Sequence, residues 1–479
     1  MSTELKVTLA EQRECVLARE EELPRWRFLV DFAPTAPPGG PTGTLNLCVL
    51  LDCSGSMYQF QMSERETERW RAAAVTRGEV LQAFSDAKRV FIWRGRTLAE
   101  MQAALSKPMD SAVAALSAIV RTLPEEVHLG LVAFADRGQV VVPSEPRLNA
   151  AQYVAALGRL REEVGKFRLG HETFLSSGLM LAMGEVMTHH SLEHVNRIIL
   201  VSDGLVHDAS KSLQMLERLR DHSITVSTIG VGGDFDEEFL ARVADVTGGF
   251  YYYAADPNEI GRRLWEEFVT LRSCVAYDVD VRLRGMGGAE VTDIAQTRPA
   301  MSLFEEVWTG PDWMGVRLPQ VFADKGAVIA AEMRLAPGEV GTRKVGEVSV
   351  RYRAPGAKTP AEVRQDLYVE YTSSERRAAV TNRRVDEAFQ RLEVYRRERE
   401  AEYAVAEGDL AVATRKLTEA AALLTKLGDR RLAEDFRREA AALASGEQRD
   451  KRRTKRIKSR SRQLAEPSAA ADAESSLTG

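Results

Sequence analysis

The sequence predicts an α/β protein in which a doubly wound parallel sheet is inserted in an antiparallel β-sandwich and followed by a C-terminal helical hairpin or bundle. Three observations indicate this class: strands alternate with amphipathic helices over 45–254, turn-separated strands fill 275–371, and helical periodicity begins near residue 381. With 479 residues, 44% of them hydrophobic and 28% charged, the chain has material for about three soluble domains.

The N-terminal residues are expected to belong to the sandwich. Two strands are predicted at 5–10 and 25–32, and the Pro/Gly-rich stretch APTAPPGGPTG follows them. Because these strands have no core of their own, we expect residues 1–40 to pair with the later sheet. The α/β domain, 43–272, would then interrupt a sandwich that resumes at 273–375.

The α/β domain shows the element order of a doubly wound sheet. Its predicted strands are 45–51, 128–135, 197–202, 224–232 and 250–254, with a short edge strand at 139–143. Its predicted helices are 109–123, 149–164, 174–187, 209–221 and 236–246. In such sheets ligands bind outside the carboxyl ends of the strands, where the strand order reverses.

Oxygen-bearing side chains gather at that edge. In the stretch LNLCVLLDCSGSM, Asp52, Ser54 and Ser56 stand at alternate positions where the first strand ends. Thr173 lies near the start of a later helix and Asp203 ends a later strand, so both reach the same edge. Hard cations such as Mg²⁺ prefer oxygen ligands, and these five residues therefore predict a divalent-cation site.

These motifs resemble a known family. DCSGS, the threonine before LSSGL and the VSDG strand end are similar to the von Willebrand factor A domain and its metal-ion-dependent adhesion site, over roughly 43–270. The resemblance implies that the three hydroxyls coordinate Mg²⁺, or Mn²⁺ or Ca²⁺, and that the two aspartates hold it directly or through water. It further implies that a Glu or Asp of a partner protein fills a vacant coordination position. An AAA+ ATPase is a partner type that the resemblance suggests.

An insertion departs from the family pattern. Residues 58–108 separate the serine motif from the next helix and contain predicted helical stretches with Trp70, Val80, Leu81 and Phe84. Since the insertion leaves from the metal loop, it should lie near the binding face. It could form a partner-specific surface, a lid over the ion, or a helical hairpin packed on the side of the domain.

Two alternatives concern charged or nitrogen-bearing neighbours. His171 and Glu172 precede the threonine ligand, and Glu172 could add charge to the site or close it. A metal-assisted hydrolase would need a base, for which Glu172 or His171 is the candidate. His189, His190 and His194 have spacings that suggest zinc, but no cysteine accompanies them, so a metal role is disfavoured.

The C-terminal third is predicted to be helical and then basic. Gly408-Asp409 and Gly428-Asp429 punctuate 381–445, which resembles a tetratricopeptide-style hairpin that should dock on the sandwich or on another subunit. Residues 446–479 are expected to form a basic and then disordered tail. Its basic run, 449–462, favours a solvated end over a nucleic-acid contact, because no aromatic residues are interleaved for stacking.

Composition limits the classes of partner and the cellular compartments that we expect. The net charge of −5 indicates no general affinity for nucleic acid, and four scattered cysteines indicate reduced thiols. No stretch approaches the ~18 uninterrupted apolar residues of a membrane span. The overall layout resembles bacterial relatives of inter-α-trypsin inhibitor heavy chains and calcium-activated chloride channels. We therefore expect a cytoplasmic, non-enzymatic, Mg²⁺-dependent adaptor protein.

Overall fold

The fold is described from a computed structural model. It covers residues 5–18, 25–34, 44–60, 62, 64–85, 88–162, 172–233, 235–304, 307–354, 357, 359–446 and 449–464. In chain order the first elements are β1 (Leu5–Glu11), β2 (Cys15–Leu17), β3 (Arg25–Pro34), β4 (Leu45–Asp52), α1 (Glu64–Arg77), β5 (Val80–Ser85), β6 (Lys88–Trp93), α2 (Gly95–Ala104), α3 (Pro108–Val120), β7 (His128–Phe134), β8 (Gly138–Val142), α4 (Ala150–Glu162), α5 (Leu175–Thr188), β9 (Val195–Ser202), α6 (Ala209–Asp221), β10 (Thr225–Val231), α7 (Glu237–Thr247), β11 (Tyr251–Ala254) and α8 (Ile260–Leu271).

The central sheet has the strand order β11-β10-β9-β4-β7-β8, with β8 antiparallel at one edge and the other pairs parallel. Every residue of β4 is buried, as expected for a strand covered by helices on both faces. Leu47, Val49 and Leu51 enter one core cluster, and Cys48 and Leu50 enter another on the opposite face. The strand order reverses beside β4, which places the ligand-binding edge at Asp52 and confirms the predicted α/β class.

The insertion is not wholly helical. The sequence suggested helical stretches around Val80, Leu81 and Phe84, but these residues lie in β5, which pairs antiparallel with β6. Gly78, with φ +65°, ends the preceding helix because a left-handed conformation cannot continue it. Leu81 then stands opposite Ile92, and both side chains are about half exposed. The hairpin therefore presents an apolar cross-strand pair to solvent.

The sandwich comprises two sheets. Its later elements are β12 (Cys274–Gly285), β13 (Glu290–Arg298), β14 (Trp308–Thr309), β15 (Trp313–Phe322), β16 (Ala327–Arg334), β17 (Gly341–Arg353) and β18 (Ala361–Thr372). One sheet has the order β1-β3-β16-β13, and the other has the order β14-β15-β12-β17-β18-β2. The N-terminal strands thus pair with the later strands, antiparallel for β3 with β16 and parallel for the short β2 with β18. The exact domain boundaries stay a prediction.

Helices complete the described chain. They are α9 (Glu375–Ala378), α10 (Arg383–Ala406), α11 (Leu410–Lys426), α12 (Arg430–Ser445) and α13 (Lys451–Arg462). Asp409 and Asp429 cap α11 and α12 by accepting hydrogen bonds from backbone N–H groups, as their position after glycine predicts. Phe389 and Leu392 of α10 pack with Leu29 of β3, so the helical region docks on the sandwich.

The expectation of a basic tail is wrong for 449–462. Residues 451–462 of this run form a docked helix, α13, which packs against β11, α10 and α12. Among the described side chains of 449–462, seven cations make polar contacts: Arg449, Arg453, Lys455, Arg456, Lys458, Arg460 and Arg462. Their partners are carboxylates on other elements and one carbonyl, so the run forms an internal ionic seam. Residues 465–479, expected to be disordered, lie outside the described residues.

One stretch differs from the expectation that no segment qualifies as a membrane span. By length and composition alone, Gly95–Val120 is long and apolar enough to cross a membrane. In the fold, α2 ends at Ala104 and Pro108 begins α3. Met109, Leu116 and neighbouring residues of α3 then join the core beneath the central sheet.

Candidate metal centre

Hydrogen bonds of the backbone and of the Asp52 carboxylate hold the loop 52–56 to the central sheet. Asp52 ends β4 and is fully buried, and one of its carboxylate oxygens accepts the N–H of Ser54 at 2.8 Å. The other oxygen accepts the hydroxyl of Ser202 at 2.6 Å, which ties the loop to the end of β9. The N–H of Cys53 donates to the carbonyl of Phe134 at the end of β7. Three neighbouring strands therefore fix the position of this carboxylate.

Two predicted ligands of the loop, Ser54 and Ser56, lie beside Asp203, the residue that follows β9. Ser54 Oγ and Ser56 Oγ lie 3.2 Å apart, and Ser56 Oγ donates to a carboxylate oxygen of Asp203 at 2.7 Å. Ser54 and Asp203 are buried, whereas Ser56 is partly exposed. One side of the cluster thus faces outward.

The surroundings of Gly204 show where Thr173, the fifth predicted ligand, stands. A β-carbon placed on this glycine would lie 2.8 Å from Thr173 Oγ1, 3.7 Å from an oxygen of Asp52 and 3.8 Å from Ser54 Oγ. Oxygens from two separate segments, the loop 52–54 and Thr173, therefore surround one small space that the missing side chain leaves open. The five predicted residues converge, and their set of two carboxylates and three hydroxyls suits a hard divalent cation.

Burial of two neighbouring carboxylates favours the binding of a cation at this site. It raises the pKa of the Asp52 carboxyl, and hydrogen bonds from Ser202 and Ser54 oppose that rise. These opposing groups are hydroxyls and a backbone N–H, which carry no net charge. Two aspartates held close together in a buried site are costly unless a cation accompanies them. A bound divalent ion would meet that requirement.

The sequence reasoning missed the residues that position Thr173. The N–H of Thr173 contacts His207 Nδ1 at 3.2 Å, and its carbonyl accepts the N–H of His207 at 2.9 Å. Asp208 accepts the N–H groups of Leu175 and Ser176, so it caps α5 directly after the threonine. Both residues follow Asp203 closely in the sequence, and this proximity could have marked them as neighbours of the site.

The other residues that the sequence singled out near the site are Glu172, His171 and Cys53. Glu172 is exposed, and its backbone N–H donates to Asp136 at 2.7 Å. His171, the other candidate base, lies outside the described residues. Burial raises the pKa of the Cys53 thiol, which keeps it protonated and disfavours a redox role.

The histidines expected to be weak zinc candidates satisfy backbone groups instead. His189, His190 and His194 each have a ring nitrogen within hydrogen-bond distance of a carbonyl oxygen. Among the described residues, no group of three or more His, Cys, Asp or Glu side chains is arranged to hold a metal. The cluster at Asp52 differs from such a group because it contains only two carboxylates beside three hydroxyls.

Two family models match the chain. The von Willebrand factor type A domain matches residues 102–264, a span that includes Thr173 and Asp203 but begins after the serine motif. The Sll0103-like C-terminal α-helical domain matches residues 383–467, which confirms the predicted helical region at 381–445. Its likeness to a tetratricopeptide-style hairpin stays a prediction.

Two proteins similar to this chain are each described as uncharacterized. Protein sll0103 of Synechocystis is 24% identical over 327 residues, covering 66% of this chain and 74% of the relative. Protein YfbK of Escherichia coli is 29% identical over 186 residues, covering 38% of this chain but only 31% of the relative.

Solved structures support the fold. A von Willebrand factor type A protein from Catenulispora acidiphila aligns with a TM-score of 0.72 at 18% identity, covering 97% of this chain and 98% of that one. The ArnB paralog VWA2 from Sulfolobus acidocaldarius aligns with a TM-score of 0.53 at 16% identity, covering 97% and 100%. The chain therefore carries a von Willebrand factor type A domain, followed by a Sll0103-like C-terminal helical domain.

Proposed function

We propose that the protein is a cytoplasmic, Mg²⁺-dependent adaptor that recognises an acidic side chain of a partner protein through the centre at Asp52. A von Willebrand factor type A domain implies an interaction or adhesion role. The observation that carries the finer proposal is the convergence of Asp52, Ser54, Ser56, Thr173 and Asp203 around the space at Gly204.

The residues divide the work of holding the ion. Ser54, Ser56 and Thr173 would supply neutral oxygens, and Asp52 and Asp203 would supply negative charge. Where the two aspartates hold the ion through water, its direct protein ligands are the three neutral hydroxyls, and much of its charge stays available to a carboxylate from outside. Ser202 and His207 position the ligands through hydrogen bonds to Asp52 and Thr173. Partly exposed Ser56 marks the side from which that carboxylate approaches.

The surroundings support recognition over hydrolysis. Leu205 follows the last ligand by two positions and is 53% exposed, so an apolar side chain stands beside the polar centre. A partner can therefore combine an acidic contact with apolar burial, as protein interfaces commonly do. The four cysteines are buried and free, which agrees with a reducing compartment. An AAA+ ATPase is the partner type that we would test first.

Metal binding is tested with Mn²⁺ as a paramagnetic probe. We expect electron paramagnetic resonance to show one bound Mn²⁺ per chain in the wild type, displaced by excess Mg²⁺. Thr173→Ala and Ser54→Ala should weaken binding about tenfold or more, because each removes one ligand. Asp312→Asn, on an exposed ion pair of the sandwich, is the matched control. Equal affinity in all four proteins would contradict the assignment.

Partner recognition is tested separately. Pull-downs from cell extract in Mg²⁺ and in EDTA should yield at least one protein that depends on both the ion and Thr173. That protein, once purified, should lose binding when one of its own surface Asp or Glu residues is changed. Identical partners in every condition, with Mn²⁺ binding intact, would refute the adaptor role while leaving the metal centre in place.

A further inference from the structure

A large cavity lies away from the metal centre, where three parts of the chain meet. Its volume is about 800 Å³, within the ~300–1,000 Å³ range of small-molecule sites. The α/β domain contributes Phe250 and Tyr252, the sandwich contributes Trp308, Phe322 and Lys325, and the end of α13 closes one side. The cavity is therefore lined by aromatic rings from two domains together with charged groups.

Lys325 is the cation that this cavity leaves without a counter-charge of its own. It stands on the turn between β15 and β16, half-buried, with its ammonium 4.5 Å from the centre of the Phe250 ring and 5.9 Å from that of Tyr252. Within the described part of the chain, no hydrogen bond or ion pair reaches its Nζ atom. Burial lowers its pKa, which shows the cost of keeping the charge there.

The carboxylates nearest to Lys325 have other partners. Glu267 accepts the hydroxyl of Tyr252 at 2.8 Å and lies 3.6 Å from the buried guanidinium of Arg197. Glu266 forms an ion pair with Arg263 at 3.0 Å. Asp324 accepts the hydroxyl of Ser273. An anion inside the cavity could therefore pair with Lys325 without displacing an existing ion pair.

We propose that this cavity binds a small aromatic molecule that carries one acidic group, with the acid on Lys325 and the ring among Phe250, Trp308 and Phe322. The aromatic walls supply burial and stacking, and the ammonium supplies a charge-assisted hydrogen bond. The other wall of the cavity contains Trp308, over which the guanidinium of Arg317 lies at 5.3 Å. The ligand would contact both domains and so stabilise their present arrangement.

Two probes of nearly equal shape separate the charge from the ring. 8-Anilinonaphthalene-1-sulfonate is the acidic aromatic probe, and N-phenyl-1-naphthylamine lacks its sulfonate. We expect saturable fluorescence with one molecule of either probe per full-length chain. Lys325→Met should weaken the sulfonate probe about tenfold or more while changing the neutral probe less than about twofold, because only the former loses a charged hydrogen bond.

Three further variants complete the test. Lys325→Arg should retain sulfonate binding, and Ser302→Trp should exclude both probes by filling the cavity. Lys211→Met, at an exposed position of α6, should change the binding of neither probe. Circular dichroism checks that each variant is folded. Unchanged sulfonate affinity in Lys325→Met, or unchanged binding of both probes in Ser302→Trp, would overturn the proposal. Loss of both probes in Lys325→Met would also overturn it, since the ammonium would then not select the anion.

Discussion

Replacing Arg462 by methionine should release α13 from the α/β domain. The guanidinium makes two hydrogen bonds to the carboxylate of Asp245, one of them 2.8 Å long, and the two side chains are only 10% and 20% exposed. Burial is the largest single influence on the pKa of Arg462 and lowers it, but Asp245, together with Tyr395 and Tyr251, outweighs burial and raises the pKa. This geometry is that of a buried bidentate pair.

The expected loss of stability follows from the carboxylate of Asp245, which would stay partly buried without its cation. Removing one partner of a buried pair costs ~3–5 kcal/mol, and the partial exposure of Asp245 places this pair near the lower end, about 3 kcal/mol. The ring of Tyr251 beside the guanidinium adds packing that methionine retains in part. Hydrogen exchange measured by mass spectrometry on 449–464 should therefore accelerate about 100-fold in Arg462→Met.

A double-mutant cycle isolates the pair. Asp245→Asn alone should also loosen α13, whereas the double variant should recover part of the loss because no buried charge is left unpaired. Arg284→Met, at a sandwich pair whose side chains are 57% and 41% exposed, is the control and should leave this exchange unchanged. Acceleration below about threefold in Arg462→Met, or strictly additive effects in the cycle, would refute the reasoning.

Three other outcomes are expected. Gly204→Ala should weaken Mn²⁺ binding without altering any ligand, since its β-carbon would lie 2.8 Å from Thr173 Oγ1; unchanged affinity in a titration would show that the ion sits elsewhere. Burial raises the pKa of Glu237 to about 8, so its folded state holds a proton that the unfolded state has lost, and stability should fall as pH rises from 4.5 to about 8. Glu237→Gln should flatten that slope in urea titrations and stabilise the protein at pH 8.5 by about 1 kcal/mol or more, and an equally steep slope would contradict this assignment. Glu172→Gln should leave Mn²⁺ binding intact and abolish no phosphatase or esterase activity, whereas selective loss of such an activity would favour the hydrolase alternative.

The central sheet and the set of predicted ligands could be predicted from the sequence because both follow from local rules. An apolar run such as 45–51 reads as a strand without knowledge of its neighbours, and side chains at strand ends share one edge in a doubly wound sheet. That rule alone brings Asp52, Thr173 and Asp203 together across 150 residues. The structure agrees on their convergence, and metal binding stays a prediction.

Other features depended on contacts that no local pattern encodes. Asp208 looks like an ordinary polar residue before a helix, and only the packing of α5 beside α6 turns its carboxylate toward Leu175 and Ser176. The run 449–462 reads as solvated because its counter-charges are scattered over distant elements, from Asp245 to Glu439. Composition cannot reveal a charge balance that exists only after folding.

The docking of α13 also has a consequence for biosynthesis. Arg462 lies 217 residues after Asp245. At roughly 5–20 residues per second, translation between the two takes on the order of 10–40 s. During that interval the nascent α/β domain can complete its central sheet but keeps the outer side of β11 uncovered, with Asp245 in water. Closure of this face therefore follows the folding of the central sheet, and until then a chaperone has access to an apolar and acidic surface that the folded molecule conceals.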